Sequence, residues 1–207
     1  VPECAQAVHA LVLASGNRGK LRELTAMLEP LGWSVRAQSE WVREEAVEDG
    51  LTFIENALIK ARHASRLSQL PALGDDSGLV VDALHGAPGI FSSRFAGEPG
   101  NDEANNRKLL AELDGVPPSG RGAHFYCAMA LTRSPDDPAP LVATGKWRGR
   151  ILEAPAGDGG FGYDPLFWVP SQGCSSAQLP AELKNRLSHR GQALAAMIEQ
   201  VRNELAD

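Results

Sequence analysis

The chain has 207 residues, enough for one sizeable core in one domain or in two closely joined lobes. At 43% hydrophobic, 22% charged and 6% aromatic, its composition is that of an ordinary soluble globular protein. With 26 acidic and 20 basic side chains the formal charge is −6, which argues against a general binder of nucleic-acid backbone. It leaves room for a small polyphosphate, since local lysines, backbone amides and a metal can reverse the field.

In chain order, the first element is the apolar run Ala10-Leu-Val-Leu-Ala14, a strand, ending in the glycine loop Ser15-Gly-Asn-Arg-Gly-Lys20. Leu21, Leu24, Leu28 and Leu31 then recur at helical spacing until Gly32. A second helix is predicted from Thr52, where Thr52 and Glu55 make a capping box. Its apolar side carries Phe53, Ala57, Ala61 and Ala64, and it fades near Pro71. Leu73 to Asp82 reads as two short β segments around a tight acidic turn, and Gly86, Pro88 and Gly89 punctuate a loop. A third helix is predicted from about Asp102 to Leu113, starting in an Asn/Asp-rich cap. Ala123 to Thr132 and Leu141 to Leu152 read as strands, separated by the proline- and aspartate-rich turn from Ser134 to Pro140. Gly157 to Pro165 is a glycine loop, followed by the apolar stretch Leu166 to Val169. From Pro180 onward the chain reads as helical, with Leu194, Met197, Ile198 and Val201 on one side. Strands and helices interleave while hairpin-like pairs also occur, so the expected sheet is mixed.

The three cysteines, Cys4, Cys127 and Cys174, are scattered and odd in number, and no CxxC or Cys/His cluster occurs. This argues against a zinc site or a disulfide framework and for a reducing compartment. No apolar run approaches the roughly 20 residues of a membrane span. Val1 to Ala10 lacks the basic-then-apolar pattern of a signal peptide. The expectation is a cytoplasmic protein without nucleic-acid or membrane partners. It would form a single domain over residues 1–207, with residues 1–9 a loosely ordered extension.

Four segments carry candidate chemistry. In the first loop, glycines let backbone amides approach a phosphate, Lys20 offers a point charge and the following helix adds its positive end. It is not a Walker A loop: two residues separate Gly16 from Gly19, and Leu21 follows the lysine. The ordinary alternative is a strand-to-helix turn with a solvated lysine. In Gly74-Asp-Asp-Ser-Gly78, two adjacent carboxylates between apolar flanks call for a cation or hydrogen bonds. Mg²⁺ suits them, with a surface turn as the alternative. Glu48 in the nearby acidic run is a possible third carboxylate, although such a run alone is most simply a solvated face. Gly157, Gly159 and Gly162 formally satisfy GxGxxG, but Tyr-Asp-Pro follows where a dinucleotide site needs a helix. A backbone shaped around a flat ligand fits better, with Phe161 as a stacking face and Asp164 either bonding a base or holding a neighbouring loop. The alternative there is a glycine hairpin with Phe161 in the core. Last, Ser188 suits a helix cap, and His189 and Arg190 add donors at the same helix start, a solvated start being the ordinary reading.

Taken together and in order, these pieces resemble the inosine triphosphate pyrophosphatase family. The matches are Ser15-Gly-Asn-Arg-Gly-Lys20, Gly50-Leu-Thr-Phe-Ile-Glu-Asn-Ala57, Lys60-Ala-Arg62 and Asp75-Asp-Ser-Gly-Leu79. They continue with Gly86-Ala-Pro-Gly89, Ser93-Arg-Phe-Ala-Gly97, Gly160-Phe-Gly-Tyr-Asp-Pro165 and Ser188-His-Arg-Gly-Gln-Ala-Leu194, spanning roughly Leu11 to Val201. The resemblance implies an α/β fold: an elongated mixed central sheet flanked by helices, two lobes with a nucleotide cleft between them, and a homodimer. It implies Mg²⁺-dependent hydrolysis of non-standard purine nucleoside triphosphates (ITP, dITP, XTP) to monophosphate and pyrophosphate.

By the same resemblance, Ser15, Gly16, Asn17, Arg18, Gly19 and Lys20 hold the triphosphate. Asp76 is the catalytic carboxylate, with Asp75 and Lys20 beside it, and Glu48 and Asp76 bind the metal. Ser77 contacts substrate, Phe161, Gly162, Tyr163 and Asp164 build the base pocket, and Lys184 touches phosphate or sugar. His189 and Arg190 read the purine 6-keto group. Gln178 and Leu183 stand where the family is often acidic, which leaves the setting of Lys184 open. Two rivals stand beside this reading: a pyrophosphatase for modified pyrimidine or methylated nucleotides, and a nucleotide sensor without catalysis.

Overall fold

The computed structural model describes residues 9–41 and 46–206. Seven strands form a mixed sheet in the order β2-β1-β3-β4-β5-β6-β7. They are β1 (His9–Ala14), β2 (Trp33–Ala37), β3 (Ala72–Val81), β4 (Gly122–Thr132), β5 (Leu141–Ile151), β6 (Phe167–Val169) and β7 (Cys174–Ser175). The helices are α1 (Arg18–Leu28), α2 (Phe53–Ser68), α3 (Asp102–Glu112), α4 (Ala181–Leu187) and α5 (His189–Ala206). β1 pairs in parallel with both β2 and β3, while β6 pairs antiparallel with β5 and β7. The expected extension lies, apart from His9, outside the described residues, as does the Glu44–Glu45 part of the acidic run.

The chain divides into two compact units, Val1–Asp75 with Met129–Val142 and Asp76–Ala128 with Ala143–Asp207. In the first, β1 runs between β2 and β3, and Val12, Ala14, Ala64 and Ala72 form a buried cluster with Trp41 and Leu70 packed against it. Small residues there let α2 lie close to β1 and β3. A Cβ on Gly74 would collide with the carbonyl oxygen of Ala57 and stand 2.7 Å from the amide of Ala61. α2 is capped by Thr52, whose Oγ1 accepts from the Glu55 amide at 3.2 Å, while the Glu55 carboxylate accepts from the Leu51 amide at 2.8 Å. α1 stops at Leu28, three residues short of the predicted stretch. Residues 29–31 tighten into a 3-10 turn that begins around Pro30, which has no N–H for the helical ladder, and Gly32 (φ 84°) closes it.

The second unit is built around Leu79, Val81, Leu109, Leu113, Phe125, Trp147, Ile151, Phe167 and their neighbours. Phe167 packs tilted against Phe125, centroids 4.5 Å apart, and against Trp147 at 5.3 Å. Each large side chain buried this way stabilises the fold by about 1.5–3 kcal/mol. Trp147 is a core residue because the alternation along β5 turns it inward.

One further sequence reading is corrected. The expected acidic turn at Asp75-Asp76 is absent: β3 runs unbroken from Ala72 to Val81. The glycines that suggested a turn serve close packing instead. At Gly78 a Cβ would collide with the Gly89 carbonyl oxygen and the Ser92 side chain, as Gly74 does against α2. The C-terminal segment, read as helical from Pro180 with a cap at Ser188, is two helices that meet at that residue. Ser188 adopts an extended conformation (φ −66°, ψ 160°) between α4 and α5, and its Oγ accepts from the Gly191 amide at 3.1 Å. Gly191 is required at this corner because a Cβ would collide with the Asn185 carbonyl oxygen.

Candidate functional site

The first unit carries the loop between β1 and α1 and the carboxylates expected beside it. Asn17 is the N-cap of α1. Its Oδ1 accepts from the amides of Gly19 (2.9 Å) and Lys20 (3.1 Å), and the Ser15 hydroxyl accepts from the Asn17 amide at 3.2 Å. The loop thus orders itself before any ligand arrives, with Gly16, Asn17 and Arg18 exposed. α1 begins here and turns Lys20 inward, where its Nζ lies 3.0 Å from Asp75 Oδ2, the carboxylate being about 1% exposed. A charge so far from water needs its partner: breaking a buried pair from one side costs about 3–5 kcal/mol. Glu48 meets Lys60 on α2, Oε2 to Nζ 3.4 Å, both half-buried. In the sequence Lys60 stands out only as part of a motif. Its position next to the buried Ala57 and Ala61 stripe is the signal that it points inward.

The second unit begins at Asp76, 5% exposed in mid-strand. Its Oδ1 accepts from the Ser77 amide at 3.0 Å. The Ser77 hydroxyl accepts from Arg190 Nη2 at 3.1 Å, and Arg190 is among the largest fully buried side chains described. The Arg190 guanidinium carbon lies 5.6 Å from the centre of the Phe161 ring, and Lys184 Nζ lies 4.9 Å from it. Two cations thus attend one half-buried aromatic ring. His189 is buried and stacks on the core ring of Phe125, centroids 4.8 Å apart and planes 13° from parallel. The start of α5 reaches β5 because Gly145 has no side chain: a Cβ there would collide with the His189 carbonyl oxygen and approach the Ala193 amide to 2.7 Å.

Asp164 ties the glycine loop together. Its Oδ2 accepts from the Phe161 amide (2.8 Å) and from Lys184 Nζ (2.6 Å), and its Oδ1 accepts from the Ser176 hydroxyl at 2.7 Å. Of the two uses left open for Asp164, these are the contacts of the loop-holding one, and Asp164 is the carboxylate partner of Lys184. Gln178 serves elsewhere, its side-chain oxygen accepting from the Ser175 amide at 3.0 Å and capping a short 3-10 turn. Nothing in the sequence marks Ser176 for its part. The loop is gripped from outside as well. Tyr163 donates its hydroxyl to the Ser92 carbonyl at 2.8 Å. Burial, and then the Asp102 carboxylate, hold that phenol well above its usual pKa.

Among the described residues no three His, Cys, Asp or Glu side chains converge to hold a metal by themselves. The donor chemistry still fits Mg²⁺, which uses one or two carboxylates and completes its shell with water and substrate phosphates. Glu48 and Asp76 are oxygen donors of that kind.

Fold and site define the class: an open mixed α/β sheet protein that buries paired carboxylates and cations along β3 and at the starts of α1 and α5. The chain belongs to the Ham1 family, whose profile matches residues 11–200. It is 52% identical to a dITP/XTP pyrophosphatase of Vibrio cholerae over 94% of this chain and 97% of the relative. It is 57% identical to a dITP/XTP pyrophosphatase of Xanthomonas oryzae over 90% and 94%. The fold matches the structure of a HAM1 protein from Coxiella burnetii with a TM-score of 0.85, 46% identity and coverage of 95% and 100%. The resemblance read from the motifs, and the mixed sheet it implied, are borne out.

Proposed function

We propose that the chain hydrolyses the non-standard purine nucleoside triphosphates ITP, dITP and XTP to the monophosphate and pyrophosphate. One observation carries the reading. Charged groups that polyphosphate chemistry needs are buried along β3, Asp75 on Lys20 of the glycine loop and Asp76 next to it in the strand. They stand in a chain more than half identical to proteins named dITP/XTP pyrophosphatase.

In this reading Lys20 and its loop bind the phosphates and stabilise charge on the departing pyrophosphate. Asp76 accepts a proton from the attacking water, with Asp75 holding Lys20 in place. Glu48 and Asp76 are the residues that would hold Mg²⁺, which when bound supplies Lewis-acid neutralisation of phosphate charge. Phe161 stacks on the purine, and His189 and Arg190 donate to its 6-keto oxygen. Adenine presents an amino donor at that position and would leave buried donors unmatched, which costs orders of magnitude in specificity. We also assign the enzyme to the cytoplasm as a homodimer. The first rests on cysteines that form no disulfide among the described residues, the second on the family resemblance. No helix among the described residues is long and apolar enough to cross a membrane.

The test is pyrophosphate release from ITP, XTP, dITP, GTP, ATP and dTTP, with Mg²⁺ and with EDTA, for the native chain and for Asp76→Asn. Fast Mg²⁺-dependent release confined to the first three, lost by at least about a hundredfold in the variant, is expected. Near-normal turnover in Asp76→Asn would remove Asp76 from its role, and a preference for dTTP would replace the purine reading with a pyrimidine one.

A further inference from the structure

The Asn101-Asp-Glu-Ala-Asn-Asn106 stretch reads from sequence only as a helix cap, and part of it is one: the Asn101 side chain accepts from the Ala104 amide at 3.0 Å. Acidic residues in a first helical turn are ordinary, since they face the positive end of the helix dipole. Two residues of this stretch do something else. Asp102 Oδ2 accepts from the Gly162 amide at 2.7 Å, and Asn106 Nδ2 donates to the Gly162 carbonyl at 2.9 Å. Asp102 and Asn106 are four apart, hence on one face of α3, and together they take both polar groups of a single glycine some 60 residues away.

That glycine follows Phe161 directly. Gly160 (φ 75°) and Gly162 (φ 62°) flank the aromatic residue, both in the left-handed region. Backbone of this kind has no ladder to hold it, and fixing each such residue costs about 1–2 kcal/mol of conformational entropy. Asp164 holds the Phe161 amide from inside the loop, and α3 holds the next peptide from outside. Asp102 is exposed and Asn106 half-buried, so neither contributes to the apolar core of this unit.

We propose that Asp102 and Asn106 are positioning residues for Phe161: they clamp Gly162 so that the ring is already in its purine-stacking position before substrate arrives. This rests on the reading of Phe161 as the stacking face. Ordering done in advance is not charged against binding, so the clamp acts on affinity for the base and leaves the hydrolytic step alone.

The experiment compares steady-state kinetics on ITP for Asp102→Ala, Asn106→Ala, Phe161→Ala and the Asp102→Ala/Phe161→Ala double variant. Backbone hydrogen exchange over residues 158–164 is followed in the same proteins. Asp102→Ala and Asn106→Ala are expected to raise KM about threefold to tenfold, the weight of one net hydrogen bond, with kcat within about twofold. Exchange at Gly162 should quicken in both. Asp102→Asn, which keeps an acceptor oxygen, should recover most of the native KM. The double variant should be no worse than Phe161→Ala alone, because a residue acting through the ring has nothing left to act on. If Phe161→Ala raises KM and Asp102→Ala does not, or if their effects add, the clamp is overturned while the stacking role stands. If Phe161→Ala leaves KM unchanged, the stacking role falls and the positioning proposal with it.

Discussion

Asp75 and Asp76 are neighbours in sequence with separate duties in the structure. A strand sends consecutive side chains to opposite faces, so a continuous β3 parts the two carboxylates. Asp75 is thereby matched to Lys20, and Asp76 stands with Ser77. Gly74 is what lets the strand carry them past a helix. Gly74→Ala would drive a methyl into the backbone of α2 at Ala57 and Ala61, where no side chain can swing away. Overpacking of this kind costs about 1–3 kcal/mol, and backbone collisions lie at the upper end. The variant is expected to melt about 6–12 °C below the native protein in a thermal scan. A Tm within a degree of native would show that α2 can retreat without penalty.

At the level of elements, α3 shows how a helix can be valued for its polar side chains. Asn105 accepts from the Ala96 amide at 2.7 Å and donates to the Ser93 carbonyl at 3.2 Å, and Lys108 reaches the Phe95 carbonyl at 2.9 Å. With Asp102 and Asn106 on Gly162, one helix holds two loops. The turn between β4 and β5 uses the same device on a smaller scale. Asp137 is buried and accepts from the Arg133 side chain, the Arg133 amide and the Ala139 amide, at 2.9–3.0 Å. The Arg133 hydrogen bonds outweigh burial and hold its carboxyl well below the usual range. A folded-state pKa below the unfolded value of about 3.9 stabilises the fold above that pH, and the gain is lost as pH falls. Native protein is therefore expected to lose stability below about pH 4, and Asp137→Asn to show a shallower acid limb in urea titrations between pH 2 and pH 6. Parallel acid limbs would discharge Asp137 from this role.

For the whole molecule, the two units hold themselves together by apolar packing, one around Val12 and Ala72 and the other around Phe125, Trp147 and Phe167. Neither core contains a metal ligand of the proposed set. Chelation is expected to abolish turnover while leaving Tm within about 2 °C, unlike domains whose folding energy is metal-binding energy. A collapse of Tm in EDTA would make the cation a structural component. By itself the sequence determined the order of the elements, the caps at Thr52 and Ser188, and the family. Those depend on local spacing, side-chain reach of a few residues, and motifs read along the chain. It misjudged Asp75-Asp76 as a turn, because a glycine looks the same whether it bends its own backbone or makes way for another. Only the tertiary structure decided that Lys20 answers Asp75, that Lys184 answers Asp164 and that α3 holds Gly162. Each joins residues at least 20 apart, and such a bond is selected by the packing of the elements that carry it.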